Sequence, residues 1–221
     1  MNAMRQLALP FAEPSRFSPE DFCPAPSNAG ARAWLAAPER WSNGRLILHG
    51  EAGVGKTHLL HIWAGQVRAQ IIEGAALRGL PQIAGPLAID DADAVPDPAA
   101  LLHLLNAARE FGFAVLLASR LAPHRMGYKL ADLTSRLRAS SDVEIRPPED
   151  ELLEMLLLRL AAERQLNLSI PVRNLLMLHL PRSGFYYREA IARLDRQALD
   201  RSARITRGLA TDIVAQMLSE T

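Results

Sequence analysis

The strongest chemical signal in this chain is Gly50-Glu51-Ala52-Gly53-Val54-Gly55-Lys56-Thr57, which meets the spacing G-x-x-x-x-G-K-[S/T] at every required position. Such a loop binds polyphosphate by closing a nest of backbone N–H groups on the oxygens, and a side chain at the tight positions would block that approach. Gly50 and Gly55 keep those positions open, and the helix that follows adds its positive N-terminal end. A lysine in this place reaches the β and γ phosphates, and the hydroxyl after it ligates Mg²⁺. Gly50, Gly53, Val54, Gly55, Lys56, Thr57 and His58 are therefore the candidate contacts for ADP or ATP, with Thr57 also a candidate metal ligand. A second signal is Leu87-Ala88-Ile89-Asp90-Asp91, an apolar run that ends in two carboxylates. A strand that delivers aspartate at its carboxyl end sets it beside the metal, so Asp90 is expected to hold Mg²⁺ through water and Asp91 to polarise the attacking water. Ser119 closes another apolar run, 113–118, where its hydroxyl either senses the γ phosphate and holds the lytic water or simply ends a strand.

These residues need elements that hold them. Residues 45–49 read as a short buried strand before the loop and 58–64 as the helix after it. A first helix is predicted over 28–35 with Asn28 as its N-cap, and Asn43-Gly44 turns the chain into the strand. Strands are predicted at 69–73, 87–91, 113–118 and 143–145, with helices at 98–111 and 130–138. The link over 74–86 is short and rich in glycine and proline, and leaves room only for a helical stub at 75–78. Strands alternating with helices imply the α/β class: a parallel sheet with helices on both faces. Pro147-Pro148 then breaks the chain, and helices follow at 149–164, 169–180, 183–201 and 206–218, the second with Pro171 in its first turn and the third capped by Ser183. The predicted organisation is a tail over 1–19, a nucleotide-binding αβ domain over 20–146 and a small helical lid over 147–221.

Composition narrows the class further. With 221 residues the chain can bury a substantial core, and 49% hydrophobic and 22% charged residues describe an ordinary globular protein. The net charge of +1 offers no global attraction to nucleic acid or anionic membrane. Seven arginines between 182 and 207 face Glu189, Asp195 and Asp200, a mixture that reads as solvated helix surface, and direct sequence-specific DNA binding is not expected. Cys23 is the only cysteine, no apolar run is long enough to span a membrane, and no signal-peptide stretch opens the chain, so a cytoplasmic location is expected.

Pro10, Pro14, Pro19, Pro24 and Pro26 make residues 1–28 read as a flexible leader. Inside it Gln6-Leu7-Ala8-Leu9-Pro10-Phe11 is a compact apolar cluster headed by an amide, which is either a strand-like cover for the domain or a docking peptide.

Here resemblance adds to the residues. Gln-Leu-x-Leu-Pro-Phe resembles the peptide by which many replication proteins hold the bacterial sliding clamp, which would make Gln6, Leu7, Leu9 and Phe11 the anchors. A phosphate-loop αβ domain with a helical lid resembles the AAA+ ATPases. More narrowly, Leu-His-Gly-x-x-Gly-x-Gly-Lys-Thr-His-Leu-Leu-His at 48–61, Ile-Asp-Asp at 89–91 and Arg-Pro-Pro-Glu at 146–149 resemble the replication initiator DnaA. The short 74–86 region departs from that pattern, and a helix-turn-helix DNA-binding domain is not expected after Thr221. A DnaA-like module joined to a clamp peptide is similar to the Hda-type regulatory inactivators of DnaA, members of the DnaA-related AAA+ family. That likeness implies ADP or ATP with Mg²⁺ as cofactors, DnaA and the DNA polymerase sliding clamp as partners, and a possible homodimer. It also implies weak intrinsic ATPase activity, the main action being to promote hydrolysis of ATP held by DnaA. By position in the family, Ser135-Arg136-Leu137 makes Arg136 the arginine finger, with Arg138 as a rival, and Tyr187-Arg188-Glu189 makes Arg188 the lid arginine that touches its own nucleotide. The competing functions are a DnaA-like loader that does not stimulate hydrolysis and a self-associating motor that turns over its own ATP.

Overall fold

A computed structural model describes residues 17–201 and 204–220. Gln6, Leu7, Leu9 and Phe11 lie outside the described residues. The sheet is built from β1 (Arg45–His49), β2 (Gln70–Glu73), β3 (Leu87–Asp90), β4 (Val115–Ser119) and β5 (Ser141–Glu144) in the spatial order β2-β3-β4-β1-β5. Every pairing is parallel. The helices are α1 (Pro26–Leu35), α2 (Lys56–Val67), α3 (Pro98–Glu110), α4 (Ala131–Arg138), α5 (Asp150–Glu163), α6 (Ile170–His179), α7 (Gly184–Arg201) and α8 (Arg207–Ser219).

The central strands β1 and β4 are buried almost throughout because helices cover both faces of a parallel sheet. Side chains alternate between those faces with period two. Ile47, Leu87, Ile89, Val115 and Leu117 enter one core with Leu101, Leu104 and Leu105 of α3 and Leu133 and Leu137 of α4. Leu46, Leu48, Ala88, Leu116 and Ala118 enter the other with Leu59, Leu60 and Trp63 of α2, Ala31 of α1 and Trp41. The α/β prediction with helices on both faces therefore holds.

Some boundaries move, for local reasons. α1 starts at Pro26 rather than Asn28, because proline fits the first helical turn. Asn28 acts inside that turn: its Oδ1 accepts from the Ala25 N–H at 3.1 Å and its Nδ2 donates to the Cys23 carbonyl at 3.0 Å. The leader predicted to run to residue 28 is built into the domain from Phe17 onward, where Phe17 stacks on His61 with ring centroids 4.2 Å apart. β5 begins two residues earlier than predicted, since Ser141 pairs with Leu46 in the ladder although it is polar. Asn43 and Gly44 both take positive φ, as a tight turn into β1 requires.

The chain divides into two compact units, one of residues 17–153 with 182–185 and the other of 154–181 and 186 onward. In the helical unit α6 packs against α8, and Leu175, Leu176, Tyr187, Ile191, Leu194, Ile213 and Val214 are buried. Thr206 caps α8 by accepting the Leu209 N–H at 3.2 Å. Arg193 on α7 pairs with Glu189 one turn earlier at 2.7 Å and with Glu220 beyond α8 at 2.7 Å. Among the described residues no helix is long and apolar enough to cross a membrane.

Candidate nucleotide site

The parallel sheet gathers chemistry at one edge. His49, Asp90, Ser119, Glu73 and Glu144 all end their strands there, and the loop 50–55 rises directly from β1 at that edge. β1 sits between β4 and β5, while the chain leaving it crosses to β2 at the far side of the sheet. A crevice at such a topological switch is where open α/β sheets bind ligands.

The loop is shaped by glycine. Gly50 has φ +146°, and a Cβ built there would lie 2.4 Å from the Ile145 carbonyl oxygen, a backbone atom that cannot turn aside. Gly50→Ala is accordingly expected to destabilise the fold by about 2 kcal/mol, a fall of roughly 4–8 °C in Tm for a chain of this size. A melt that matches the wild type would show that the loop can relax. At Gly53 (φ +78°) an added Cβ would fall 1.8 Å from the Ser183 hydroxyl, because the 182–185 segment lies on the crown of the loop. There the Gly184 N–H donates to the Gly53 carbonyl at 3.2 Å, and Arg182 is anchored by Asp150 at 2.6 Å and by the Pro148 carbonyl at 2.9 Å.

α2 opens at Lys56 behind Gly55, which is left-handed at φ 102°, and its first intrahelical bond runs from the Leu59 N–H to the Gly55 carbonyl. The N–H groups of the turn before it have no partner within the helix, which makes this end an anion seat. Lys56 is 7% exposed, and its Nζ donates to the Gly50 and Glu51 carbonyls, each at 2.7 Å, so the ammonium lies across the loop. Burial lowers its pKa, while the negative charges of Asp91, Asp90 and Asp93 act the other way. A buried cation beside open amides fits a polyphosphate. Val54 packs partly buried against the α2 side of the sheet. His58 is turned toward the 17–22 segment instead: its Nε2 lies 3.0 Å from the Ser18 carbonyl, and its ring meets Phe17 and Phe22 edge-on.

Asp90 closes β3, with its Oδ1 accepting the Asp91 N–H at 3.1 Å. Asp91 is exposed in the left-handed region at φ +46°, uncommon for a residue with a side chain. Gly74 makes that turn possible, since a Cβ there would lie 2.3 Å from the Asp91 carbonyl. Thr57 and Asp90 are two oxygen donors of the kind Mg²⁺ takes when phosphates and water complete its shell. Among the described residues no three histidine, cysteine, aspartate or glutamate side chains cluster as a metal site of their own. Ser119 is fully buried, and its hydroxyl is committed locally: it donates to the Leu121 carbonyl at 2.7 Å and accepts the Leu121 N–H at 3.0 Å. These bonds hold the hydroxyl at the end of β4.

Sequence reasoning overlooked Asp93. Its Oδ1 accepts the Arg120 N–H at 3.0 Å, which ties the exit of β4 to the acidic turn after β3. The spacing Asp90-Asp91-Ala92-Asp93 was the available sign. Sequence reasoning gives Ser183 only a capping role, and its approach to Gly53 has no local signature. Arg188 lies on α7 in the helical unit. Arg136 lies elsewhere in the αβ unit, in the last turn of α4, and pairs with Asp132 at 3.4 Å. Arg138 is exposed at the end of that helix.

No family model matches the chain, and no curated protein matches it either. Solved structures do. Domain III of the Thermotoga maritima replication initiation protein DnaA is 19% identical with a TM-score of 0.76, over 92% of this chain and 97% of that one. AMPPCP-bound DnaA from Aquifex aeolicus is 18% identical with a TM-score of 0.66, over 84% of this chain and 66% of that one. The Thermotoga maritima RuvB Holliday junction branch migration motor is 19% identical with a TM-score of 0.66, again over 84% of this chain and 66% of that one. The chain thus spans about two thirds of these two longer proteins and nearly all of the isolated domain. Its parallel five-stranded sheet with flanking helices is the AAA+ fold in a DnaA-like form.

Proposed function

We propose that this chain is a DnaA-related regulator of chromosomal replication initiation: it binds ADP or ATP with Mg²⁺, docks on the sliding clamp through Gln6, Leu7, Leu9 and Phe11, and promotes hydrolysis of ATP held by DnaA. The observation that carries this reading is the opposition of two sites across one sheet. The phosphate loop leaves the carboxyl end of β1, whereas the turn after Arg136 is bonded to Arg45 at the amino end of that strand, through Ser140. β1 alone separates those edges by about 13 Å. Arg136 is therefore badly placed to serve its own loop, which supports the reading that it acts on a neighbour's ATP.

In this reading each residue has one task. The loop amides and Lys56 bind the chain's own phosphates, Thr57 and Asp90 hold Mg²⁺, and Asp91 faces the water side. Mg²⁺, when bound, neutralises phosphate charge. Arg136 donates N–H bonds to the γ-phosphate oxygens of the partner's ATP and needs to lose no proton to do so. Own-site turnover is weak, and a homodimer that covers Arg136 would hold the protein in reserve. AMPPCP in the similar Aquifex DnaA supports an adenine nucleotide as the ligand class. A self-associating motor is the second reading, favoured by the intact Asp90-Asp91 pair. Single-turnover hydrolysis of DnaA-bound ATP, with and without this protein and DNA-loaded clamp, separates the two. Acceleration supports the regulator, whereas clamp-independent turnover of free ATP alone supports the motor.

The tail has its own test. If Leu9 and Phe11 fill an apolar pocket on the clamp, truncating both to alanine is expected to remove most of the affinity, because a few anchors dominate such contacts. Unchanged clamp binding, measured by surface plasmon resonance, would end the docking role. A large fall in Tm would instead make the segment a cover for the domain.

A further inference from the structure

Arg45 opens β1 and is 2% exposed. A buried arginine is costly, and apolar side chains of similar volume commonly do as well or better in such places. Among the described residues its one side-chain bond runs from Nε to the Ser140 hydroxyl at 3.1 Å, and its Nη1 is buried with no hydrogen-bond partner. Ser140 passes the contact on by donating to the Arg136 carbonyl at 2.9 Å. The buried Nε of Arg136 makes no hydrogen bond among the described residues and meets only the Asp132 carboxylate, 3.4 Å away and 57% exposed. Neighbouring residues grip the same stretch. The Ser42 N–H donates to the Ser141 hydroxyl at 2.9 Å, and the Asn43 amide donates to the Ala139 carbonyl at 3.1 Å. Residues 42, 43 and 45 thus brace 139, 140 and 141, the turn that carries Arg136.

Charge makes the brace asymmetric. Burial lowers the Arg45 pKa first, and the positive charges of Arg136 and Arg109 lower it further. A guanidinium stays protonated in proteins, so the consequence is mutual repulsion rather than proton loss. We propose that Arg45 is a positioning residue for Arg136: through Ser140 it fixes the last turn of α4, and its charge repels the Arg136 guanidinium, which limits the directions from which that group can meet an incoming polyphosphate. This rests on the reading of Arg136 as a finger for a partner's ATP.

The test uses the full chain on DNA-loaded clamp with ATP-loaded DnaA, measuring maximal stimulation, the half-saturating concentration and Tm. Arg45→Met is expected to leave Tm unchanged or higher, as for other buried ions replaced by apolar groups. It should cut maximal stimulation roughly ten- to hundredfold, the scale of a misplacement of about 1 Å, with the half-saturating concentration little changed. Ser140→Ala, which keeps Arg45 packed, should lose stimulation in the same direction, and Arg45→Lys should restore much of it by keeping the charge. If Arg45→Met does not fold, Ser140→Ala decides. Wild-type stimulation by Arg45→Met or, failing that, by Ser140→Ala, alongside a dead Arg136→Ala, overturns the positioning role alone. Normal stimulation by Arg136→Ala overturns the finger and the positioning role together.

Discussion

Arg136→Ala is expected to lose nearly all stimulation of DnaA-bound ATP hydrolysis while keeping its own nucleotide and its clamp. Phosphoryl transfer spreads negative charge over the γ-phosphate oxygens, and arginine fingers supplied by a partner contribute about 10³–10⁵ in rate. Arg136→Lys should fail nearly as badly, because an ammonium lacks the planar fork that meets two oxygens at once. Stability should hold. Arg136 is about a quarter exposed and its partner Asp132 more so, and exposed i,i+4 pairs contribute only about 0.3–0.5 kcal/mol. The comparison that matters is with Arg138→Ala on the same helix. Full stimulation by Arg136→Ala with loss in Arg138→Ala would move the finger by two residues, and retention in both would remove the mechanism.

Lys56→Ala is expected to abolish the stabilisation given by ADP or ATP. Ligand at ~100 times its Kd raises stability by about 2.7 kcal/mol, which in the mutant should fall toward zero. The proper readout is the nucleotide-induced shift and not the absolute Tm. Removing the ammonium also strips the Gly50 and Glu51 carbonyls of a partner, which costs about 1–3 kcal/mol where such groups are buried. A mutant that melts lower without ligand yet shifts as far with it would show that the loop holds phosphate through its amides alone. On the proposed reading, in which Arg188 is the lid arginine that the resemblance to DnaA implies, Arg188→Ala should weaken the chain's own nucleotide binding, with its effect on DnaA–ATP turnover secondary.

What the sequence determined by itself is local. The phosphate loop, the paired carboxylates after an apolar run and the alternation of strand and helix were all legible, because each depends on spacing within one turn or one strand. The two faces of the sheet follow in the same way. Ile47 must point opposite to Leu46 and Leu48 once 45–49 is a strand, and the two cores divide along that line. The tertiary structure decided where polar groups spend their bonds. Nothing near Ser119 says that its hydroxyl turns onto Leu121, nothing near His58 says that it meets Phe17 and Phe22, and nothing near Gly53 says that Ser183 will lie against it. Arg45 reads as a routine strand-opening cation until the chain brings Ser140 to it from 95 residues away. A hydrogen bond is chosen within a few tenths of an ångström, and its partner here comes from sheet order and from the packing of α4 against α3 and Ile47 of β1. Such contacts span the whole sheet, Arg45 and Ser140 being 95 residues apart, and no short stretch of this chain encodes them.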